Sequence, residues 1–398
     1  MTGWMLEVVG GSVAVGYLAD VPSAESILAA AASIAEQARR AADEIESTQR
    51  LPAELVRTMS AAGLFQMYVR PSVGGPGHDP LTAYRAVEIL ARADASVAWL
   101  SMVASGCSWL TGWVPDDVLR TMCGDPCDLR LAGSERPLGR ATRVVGGYRL
   151  SGRWNFASGI THANWVMAGC FIEDSAAEPT LRIMLVPVDD VRVEHTWSVV
   201  GMRGTGSHDF IADDVFVPET HAVLAIGSAL SDEAIYSQRL LRVCTFGPVA
   251  AVMVGAALGA IDDVLAIAGQ PTIRNSTALR DRPEVQRCVA DSTARIDSSR
   301  AYISEVITAA YDAVCRDQDP TIAVAASRLA FAHAAQQATF VVGELIRVVG
   351  TPAAHLSSPL QRRARDLMVA QHFPSFDIST YETAGRIFLG LEPNDAGW

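Results

Sequence analysis

The chain has 398 residues, of which 49% are hydrophobic and 19% are charged, and its formal net charge at pH 7 is −12. This length is more than one small core needs, and the hydrophobic content excludes a disordered or fibrous chain. A chain this acidic, without a block of Lys and Arg, lacks the basic surface that binds phosphate backbones, so we expect no nucleic-acid partner.

The N-terminal part of the chain carries helical patterns. The segment 70–80 contains three prolines and three glycines and is predicted to be a loop, and Gly63 is a predicted helix end. We expect a loosely ordered leader over residues 1–22, which have no basic segment typical of a signal peptide. A helical domain is predicted over residues 23–125. Its Ala-rich or apolar helical segments are 26–46, 52–62, 81–93 and 96–113.

Strand patterns follow, over residues 126–228. Residues 142–145 and 148–152 flank Gly146-Gly147 and predict a β-hairpin. Further short apolar runs occupy 166–172, 181–186, 191–195 and 214–217. Short strands at this spacing predict a small barrel or a sandwich.

Helical patterns return over residues 229–398. Three long Ala-rich stretches and a final pair of helices split at Pro374 predict a bundle. The long stretches are 234–269, 283–315 and 320–349. We expect core helices here and no membrane span, because Asp262 and Asp263 interrupt the most apolar run. The predicted fold class is therefore mainly α with a central β domain.

The seven cysteines are scattered along the chain. Cys123 and Cys127 form the one close pair, and neither a second pair nor a nearby histidine completes a zinc site. We expect reduced thiols, no metal and a cytoplasmic protein.

Three segments in fixed order carry a family resemblance. They are Ser-Gly-Arg-Trp-Asn-Phe-Ala-Ser-Gly ending at Gly159, Trp-Ser-Val-Val-Gly-Met-Arg-Gly-Thr-Gly-Ser ending at Ser207, and Arg365-Asp366 through His372 to Gly390. With this order and spacing the chain resembles the acyl-CoA dehydrogenase superfamily and, within it, the two-component flavin-dependent monooxygenases. The resemblance implies an N-terminal helical domain, a small β-barrel and a C-terminal helical bundle.

The resemblance also implies a flavin site on the β domain. Trp154, Phe156, Ser158 and Gly159 are expected to line one side of the ring, with Ser158 as a hydrogen-bond donor near N5. The alternative for Ser158 is a turn serine that caps a strand end.

Two further segments are candidates for cofactor binding. Thr205 and Ser207 lie in a Gly-rich run whose amides and hydroxyls suit a ring edge, a ribityl chain or a phosphate, although such a run is also typical of a flexible hairpin. Arg274 stands where dehydrogenases carry an Arg-x-x-Phe-Gly element, here without Phe-Gly. It suits a single phosphate of loosely held FMNH₂ or FADH₂, or else it is a solvated arginine.

His372 is the predicted catalytic residue, together with Ser158. It shares an apolar helix face with Met368 and Val369 and precedes Pro374, so it is expected at a helix C-terminus, where the dipole favours the imidazolium. An imidazole there suits proton transfer with a substrate O–H or N–H. The resembling oxygenases have a histidine at this point, and the alternative is a core histidine.

Four residues are candidates for the substrate pocket: Cys107, Trp109, Phe373 and Tyr381. Several relatives of the resembling family carry a histidine at the position that matches Cys107, which is predicted to fill space and not to act as a nucleophile. Each aromatic residue has core packing as its alternative.

A true acyl-CoA dehydrogenase is the alternative enzyme. In many of those enzymes a carboxylate base lies two to three helical turns after an Arg-Asp pair. Counting from Arg365-Asp366 leads to His372-Phe373-Pro374, without Asp or Glu, and Glu382 stands roughly two turns later, where we expect an exposed residue. Some dehydrogenases carry the base on an earlier helix, so this alternative stays open, as does a repurposed member without flavin chemistry.

The resulting prediction is the oxygenase component of a two-component flavin monooxygenase. Reduced flavin would come from a separate NAD(P)H:flavin reductase, since the chain has no dinucleotide fingerprint of its own. Oxygen would be activated as a flavin C4a-hydroperoxide, and an apolar aromatic or polycyclic molecule would be hydroxylated. By family analogy we expect a homo-oligomer, a tetramer.

Overall fold

A computed structural model describes residues 7–9, 12–14, 23–173, 180–223, 229–269, 271–272 and 275–394 of the chain. Strands β1 (Glu7–Val9) and β2 (Ser12–Ala14) pair as a short antiparallel hairpin. The rest of the predicted leader, residues 1–6, 10–11 and 15–22, lies outside the described residues.

The N-terminal helices begin where the sequence offers caps. Ser23 and Asp79 accept hydrogen bonds from backbone N–H groups of the first turns of α1 and α3, and Asp94 does the same for α4. Gly63 has a φ of +80°, as a left-handed chain reversal requires. The helices are α1 (Ala24–Thr48), α2 (Ala53–Ala61), α3 (Pro80–Ala93), α4 (Ala95–Ser108) and α5 (Asp116–Cys123). The predicted helix over 96–113 is α4 continued by a 3₁₀ turn at Trp109–Trp113.

The central strands form one seven-stranded sheet in the order β7-β8-β4-β3-β5-β6-β9. Neighbouring strands are antiparallel except β3 and β5, which run parallel. β6 approaches β8 although three strands separate them in the sheet, so the sheet curls around its own core. The strands are β3 (Leu131–Val144), β4 (Gly147–Ala157), β5 (Trp165–Glu173), β6 (Thr180–Pro187), β7 (Arg192–Glu194), β8 (His208–Pro218) and β9 (Ala222–Val223).

The C-terminal helices form the predicted bundle around α6. This helix packs against α3, α4 and α8, and its first predicted turns are two 3₁₀ segments that precede Leu241. Pro374 opens a 3₁₀ turn that separates the last two helices, as predicted. The elements are α6 (Leu241–Ile267), β10 (Pro271–Thr272), β11 (Asn275–Ala278), α7 (Pro283–Cys315), α8 (Thr321–Val349), α9 (Pro359–Ala370) and α10 (Ser379–Phe388).

Within the part of the chain that is described, one helical stretch is long and apolar enough to cross a membrane. It runs from Gln238 to Ile267 with a mean hydropathy of 1.9, and 67% of its most apolar window is buried by the rest of the fold. That burial is typical of a core helix, because the apolar side chains already have protein partners.

The loop between β7 and β8 connects the three parts of the fold. A Cβ atom on Gly201 would lie 2.0 Å from the carbonyl oxygen of Arg365 in α9, and one on Gly204 would lie 2.2 Å from Ile45 in α1. Both positions therefore require glycine, and the close approach presses residues 201–207 between the sheet and the two helical parts.

Candidate active site

The end of β4 turns sharply at Ser158. The backbone of Phe156 is left-handed, with a φ of +61°, which is uncommon for a bulky residue, and Gly159 follows with +78°. The Gly159 N–H donates to the carbonyl of Thr205 over 2.8 Å, which ties the turn to the Gly-rich loop. The sequence-predicted candidates Ser158, Thr205 and Ser207 are thereby brought together and buried.

A chain of hydroxyl groups runs through these three residues. Ser158 Oγ and Ser207 Oγ lie 2.7 Å apart, and Ser207 Oγ and Thr205 Oγ1 are also separated by 2.7 Å. The Thr205 hydroxyl donates to the backbone carbonyl of Met202 over 2.8 Å. Each of the three hydroxyls is less than a tenth exposed, so their hydrogen bonds are made to protein and not to bulk water.

Trp99 in α4 is the residue that sequence reasoning missed. Its indole Nε1 donates to Ser158 Oγ over 3.1 Å. Its ring meets Phe373 edge to face, with 6.1 Å between the ring centroids and 79° between the planes. A signal existed, since a buried tryptophan needs an acceptor for its N–H, but the sequence does not say which of the three tryptophans in residues 96–113 reaches Ser158.

Phe373 belongs to an aromatic cluster formed with Trp99, Phe246 and Phe376. The ring of Phe373 lies 5.7 Å from that of Phe246 and 6.2 Å from that of Phe376. Such edge-to-face and tilted pairs are favourable contacts between aromatic rings. The predicted pocket residue Phe373 is therefore joined to Ser158 through a single side chain, Trp99.

His372 lies beside this cluster, two residues beyond the last residue of α9. Its side chain is exposed and forms no hydrogen bond or ion pair with the residues that the structure describes. His372 is thus not a core histidine, which was the alternative to the predicted catalytic role, and its imidazole is free to contact a ligand. By contrast, His162 near Ser158 accepts the Leu51 N–H, and burial lowers its pKa to about 4, so it serves the fold as a neutral group.

Asp366 holds the Gly-rich loop against α9. Its carboxylate accepts the Met202 N–H over 2.6 Å. Burial, with the neighbouring Asp94 as a second cause, raises the pKa of Asp366 to about 7. The adjacent Arg365 forms an ion pair of 2.8 Å with Glu46 in α1. The Arg-Asp pair of the sequence motif is thus a structural clamp on residues 201–207.

Two predicted site residues are core residues instead. Trp154 is fully buried within the sheet, stacked on Phe210 at 4.9 Å, and donates to the Gly169 carbonyl over 2.8 Å. Trp109 is fully buried as well and donates to the carbonyl of Ile235 over 2.7 Å. Neither side chain reaches an open surface, so the predicted flavin contact of Trp154 and the predicted pocket role of Trp109 are wrong.

The other predicted ligand contacts have mixed outcomes. Phe156 is exposed at the rim of the Ser158 turn and meets Trp197 edge to face at 6.3 Å. Cys107 lies on α4 two turns beyond Trp99, and burial raises the pKa of its thiol to about 12, which excludes a nucleophilic thiolate. Tyr381 donates to Gln336 in α8 over 3.0 Å, and no hydrogen bond or ring contact among the described residues joins it to Ser158.

Arg274 and Glu382 are the two remaining residues that the sequence singled out. Arg274, the predicted phosphate ligand, lies outside the described residues. Glu382 is exposed in the first turn of α10, as the sequence predicted.

Two buried oxygens beside the Ser158 turn have no hydrogen-bond partner among the described residues. They are Asn155 Oδ1 and Thr161 Oγ1, each three residues from Ser158. Buried polar atoms are usually hydrogen-bonded, so each of these two oxygens has a place for a further hydrogen-bond partner. A small cavity of about 10 Å³, room for about one water molecule, lies at the same turn and is lined by Phe65, Leu100, Ala104, Arg130, Leu131, Ser158, Gly159, His162 and Ala163.

Comparison with known proteins identifies the fold and the family. Residues 22–112 match the family model for the acyl-CoA dehydrogenase N-terminal domain, and residues 248–377 match the model for the C-terminal domain. The crystal structure of the HsaA monooxygenase from Mycobacterium tuberculosis superposes with a TM-score of 0.86 at 25% identity, covering 94% of this chain and 100% of that chain.

Two curated relatives are similar over most of their length. A pigment production hydroxylase of Rhodococcus sp. is 30% identical over 312 residues, covering 75% of this chain and 80% of the relative. The oxygenase component of an FADH₂-dependent resorcinol hydroxylase of Rhizobium sp. is 29% identical over 387 residues, covering 91% and 93%. The chain belongs to the acyl-CoA dehydrogenase superfamily, in its branch of two-component flavin-dependent monooxygenase oxygenase components. The fold class and the family predicted from the sequence are confirmed.

Proposed function

We propose that this protein takes up reduced flavin, FADH₂ or FMNH₂, and uses O₂ to hydroxylate an apolar aromatic or polycyclic small molecule. The observation that carries this proposal is the position of Trp99, which donates to Ser158 on one side and contacts Phe373 on the other. A polar turn suited to a flavin edge and an aromatic wall suited to an apolar substrate thus share one side chain.

The residues at the Ser158 turn fit a flavin. Gly159 keeps the turn narrow, since a Cβ there would lie 3.2 Å from Leu100, and Asn155 and Thr161 offer unsatisfied oxygens to a polar ring edge. When bound, reduced flavin would supply the activated oxygen as a C4a-hydroperoxide. Ser158, Thr205 and Ser207 are buried, so bulk water would be kept from the flavin edge on their side of the site.

The aromatic cluster supports the substrate class. Trp99, Phe246 and Phe373 are each partly exposed, so they present ring edges and faces to the site while Phe376 backs them. Ring edges and faces of this kind favour an aromatic ligand, which gains both buried apolar area and ring contacts. The named substrate of the resorcinol hydroxylase relative is also an aromatic ring.

His372 is the proposed acid–base group. It follows α9 and directly precedes Phe373, so an aromatic substrate that packs on Phe373 lies next to the imidazole. An imidazole is able to accept a proton from a substrate hydroxyl or N–H as the ring is oxygenated.

The partners follow from the same chemistry. A separate NAD(P)H:flavin reductase would supply the reduced flavin, since the sequence carries no dinucleotide fingerprint. We further propose a homotetramer in the cytoplasm. Size-exclusion chromatography with light scattering tests the oligomeric state directly.

The deciding experiment mixes the purified protein with anaerobically reduced FMN or FAD, adds O₂ and follows the near-ultraviolet and visible absorbance. The expected result is a long-lived hydroperoxide band that is weakened in His372→Ala. Tight oxidised FAD that is bleached by an acyl-CoA, without such a band, would overturn the proposal in favour of a dehydrogenase. Absence of both signals would point to a member of the fold without flavin chemistry.

A further inference from the structure

The hydroxyl chain at the site has a fixed direction. A carbonyl oxygen only accepts, so the single hydroxyl hydrogen of Thr205 is used on Met202. Thr205 must then accept from Ser207, and Ser207, with its own hydrogen spent, must accept from Ser158. All three hydrogens therefore point away from Ser158 and towards the Met202 carbonyl.

The same count fixes the state of Ser158. Its hydrogen goes to Ser207, and one lone pair receives the Trp99 indole N–H. What remains at Ser158 Oγ is a second lone pair, so the group meets a ligand as an acceptor. By this count Ser158 would meet a ligand as an acceptor, in place of the donor role that the sequence predicted, because its hydrogen is already committed inside the protein.

The end of the chain is held firmly. The Met202 carbonyl also accepts the Trp197 Nε1–H over 3.0 Å, and the Met202 N–H is bound by Asp366. Thr205 is 1% exposed and Ser207 is 4% exposed, so water has little access to replace a partner. The Thr205 N–H also donates to the Met202 carbonyl, over 3.2 Å. Reversing the chain would therefore leave this carbonyl with two donors, but it would place the Thr205 and Met202 oxygens 2.8 Å apart with no hydrogen between them, which disfavours the reversed arrangement.

We propose that Thr205 and Ser207, with Trp99, are positioning residues that hold Ser158 as an acceptor and so make the site select the redox state of the flavin. Reduced flavin carries a hydrogen on N5, which matches an acceptor. Oxidised flavin has a lone pair and no hydrogen on N5. This lone pair and that of Ser158 Oγ would repel each other, which disfavours binding of the oxidised form. The inference rests on the proposed function, in that the flavin edge must lie at Ser158.

Thr205→Val tests this direction with little change of shape. Without the Thr205 hydroxyl, Ser207 is free to donate to Ser158, and Ser158 then turns its hydrogen towards the ligand. Thr205→Ser keeps a hydroxyl and therefore keeps the direction. Ser207→Ala is the second disrupting variant, since it leaves the Ser158 hydrogen without an internal acceptor.

The measurement is the dissociation constant of FAD and of FMN for each variant, in the oxidised state by fluorescence and in the reduced state by anaerobic titration. The wild type is expected to bind the reduced form more tightly. In Thr205→Val and Ser207→Ala we expect the ratio of oxidised to reduced dissociation constants to fall by roughly tenfold, as one hydrogen bond is gained or lost. The potential of the bound two-electron couple would then fall by about 30 mV.

The outcomes separate this inference from the proposed function. A ratio lowered in Thr205→Val and restored in Thr205→Ser supports it, because a general loss of packing would weaken both redox forms alike. An unchanged ratio in both disrupting variants, with preferential binding of reduced flavin by the wild type, overturns the inference and leaves the function standing. A wild type that binds neither redox form overturns both.

Discussion

Met202 and Asp366 are joined by a hydrogen bond of 2.6 Å from backbone N–H to carboxylate, across 164 positions of sequence. The bond connects the loop that carries Thr205 and Ser207 with the helix that leads to His372. Because the carboxyl group is buried, its protonation state depends on the fold, and the stability of the fold depends on it in turn.

Asp366→Asn should remove a component of the pH dependence of stability. Burial raises the pKa of Asp366 to about 7, well above the ordinary value, so the native state holds a proton that the unfolded state releases between those values. This contribution is fully present below the unfolded pKa and is lost as the pH rises through 7. The wild type should lose roughly 2–3 kcal/mol relative to the variant between about pH 5 and about pH 8.

Urea unfolding of both proteins at these two pH values measures the effect. Asn keeps an oxygen for the Met202 N–H, so the variant is expected to fold. Parallel pH profiles for the two proteins would show that Asp366 titrates normally.

Trp99→Phe should uncouple flavin oxidation from hydroxylation. The variant keeps a ring for Phe373 and loses the N–H that binds Ser158, a loss of about 1 kcal/mol, or about fivefold in an equilibrium. The measured quantity is product formed per reduced flavin oxidised. Trp109→Phe is the matched control, because its N–H serves the core carbonyl of Ile235. That control should lower the melting temperature and leave the coupling ratio unchanged, whereas equal coupling losses would contradict the assignment.

His372→Ala should impair chemistry without affecting stability. The imidazole is exposed and has no bonded partner among the described residues, so its removal should shift the melting temperature very little. Loss of a general acid–base group should lower the hydroxylation rate constant by roughly 10²–10⁴-fold. Glu382→Gln, at an equally exposed position, should be without effect on hydroxylation. If Glu382→Gln were instead the inactive variant, the dehydrogenase alternative would regain its base.

Cys107 should resist alkylation. With a pKa of about 12, almost none of its thiol is ionised near neutral pH, and the side chain is buried besides. Cys315 is exposed and should be the first residue modified by iodoacetamide. Peptide mass spectrometry after brief labelling of the native protein distinguishes the two. Modification of Cys107 as fast as Cys315 would indicate an activated thiol.

Helix positions followed closely from the sequence, and side-chain directions did not. The predicted stretch 283–315 coincides with α7, because Pro283 starts the helix and its apolar spacing is regular. Trp99 and Trp109 lie in one stretch of mostly apolar residues. Because that stretch is buried on most sides, its sequence shows no polar face that would tell the direction of either side chain. Which indole reaches the site depends on the acceptor each one finds, Ser158 or Ile235, and both acceptors are distant in sequence.

The same reason explains why the predicted direction of the Trp154 side chain is wrong and why the direction of the Ser158 hydrogen bond cannot be read from the sequence. The motif around Trp154 correctly marked the turn, yet strand alternation sends Trp154 into the sheet core, while Phe156 is exposed in spite of the alternation because its backbone is left-handed. The direction of the Ser158 hydrogen depends on the backbone carbonyl of Met202, which is distant from Ser158 in the sequence. No local pattern encodes a chain of three hydroxyls closed by tertiary contacts.

The clamp between Asp366 and Met202 also sets an order of events during synthesis. Ser158, Thr205 and Ser207 precede α9 in the sequence. They are therefore synthesised well before the helix that holds their loop in place. The hydrogen bond between Met202 and Asp366 is therefore able to form only after α9 has been made. An unfinished chain without α9 therefore lacks the hydrogen bond that joins residues 201–207 to that helix.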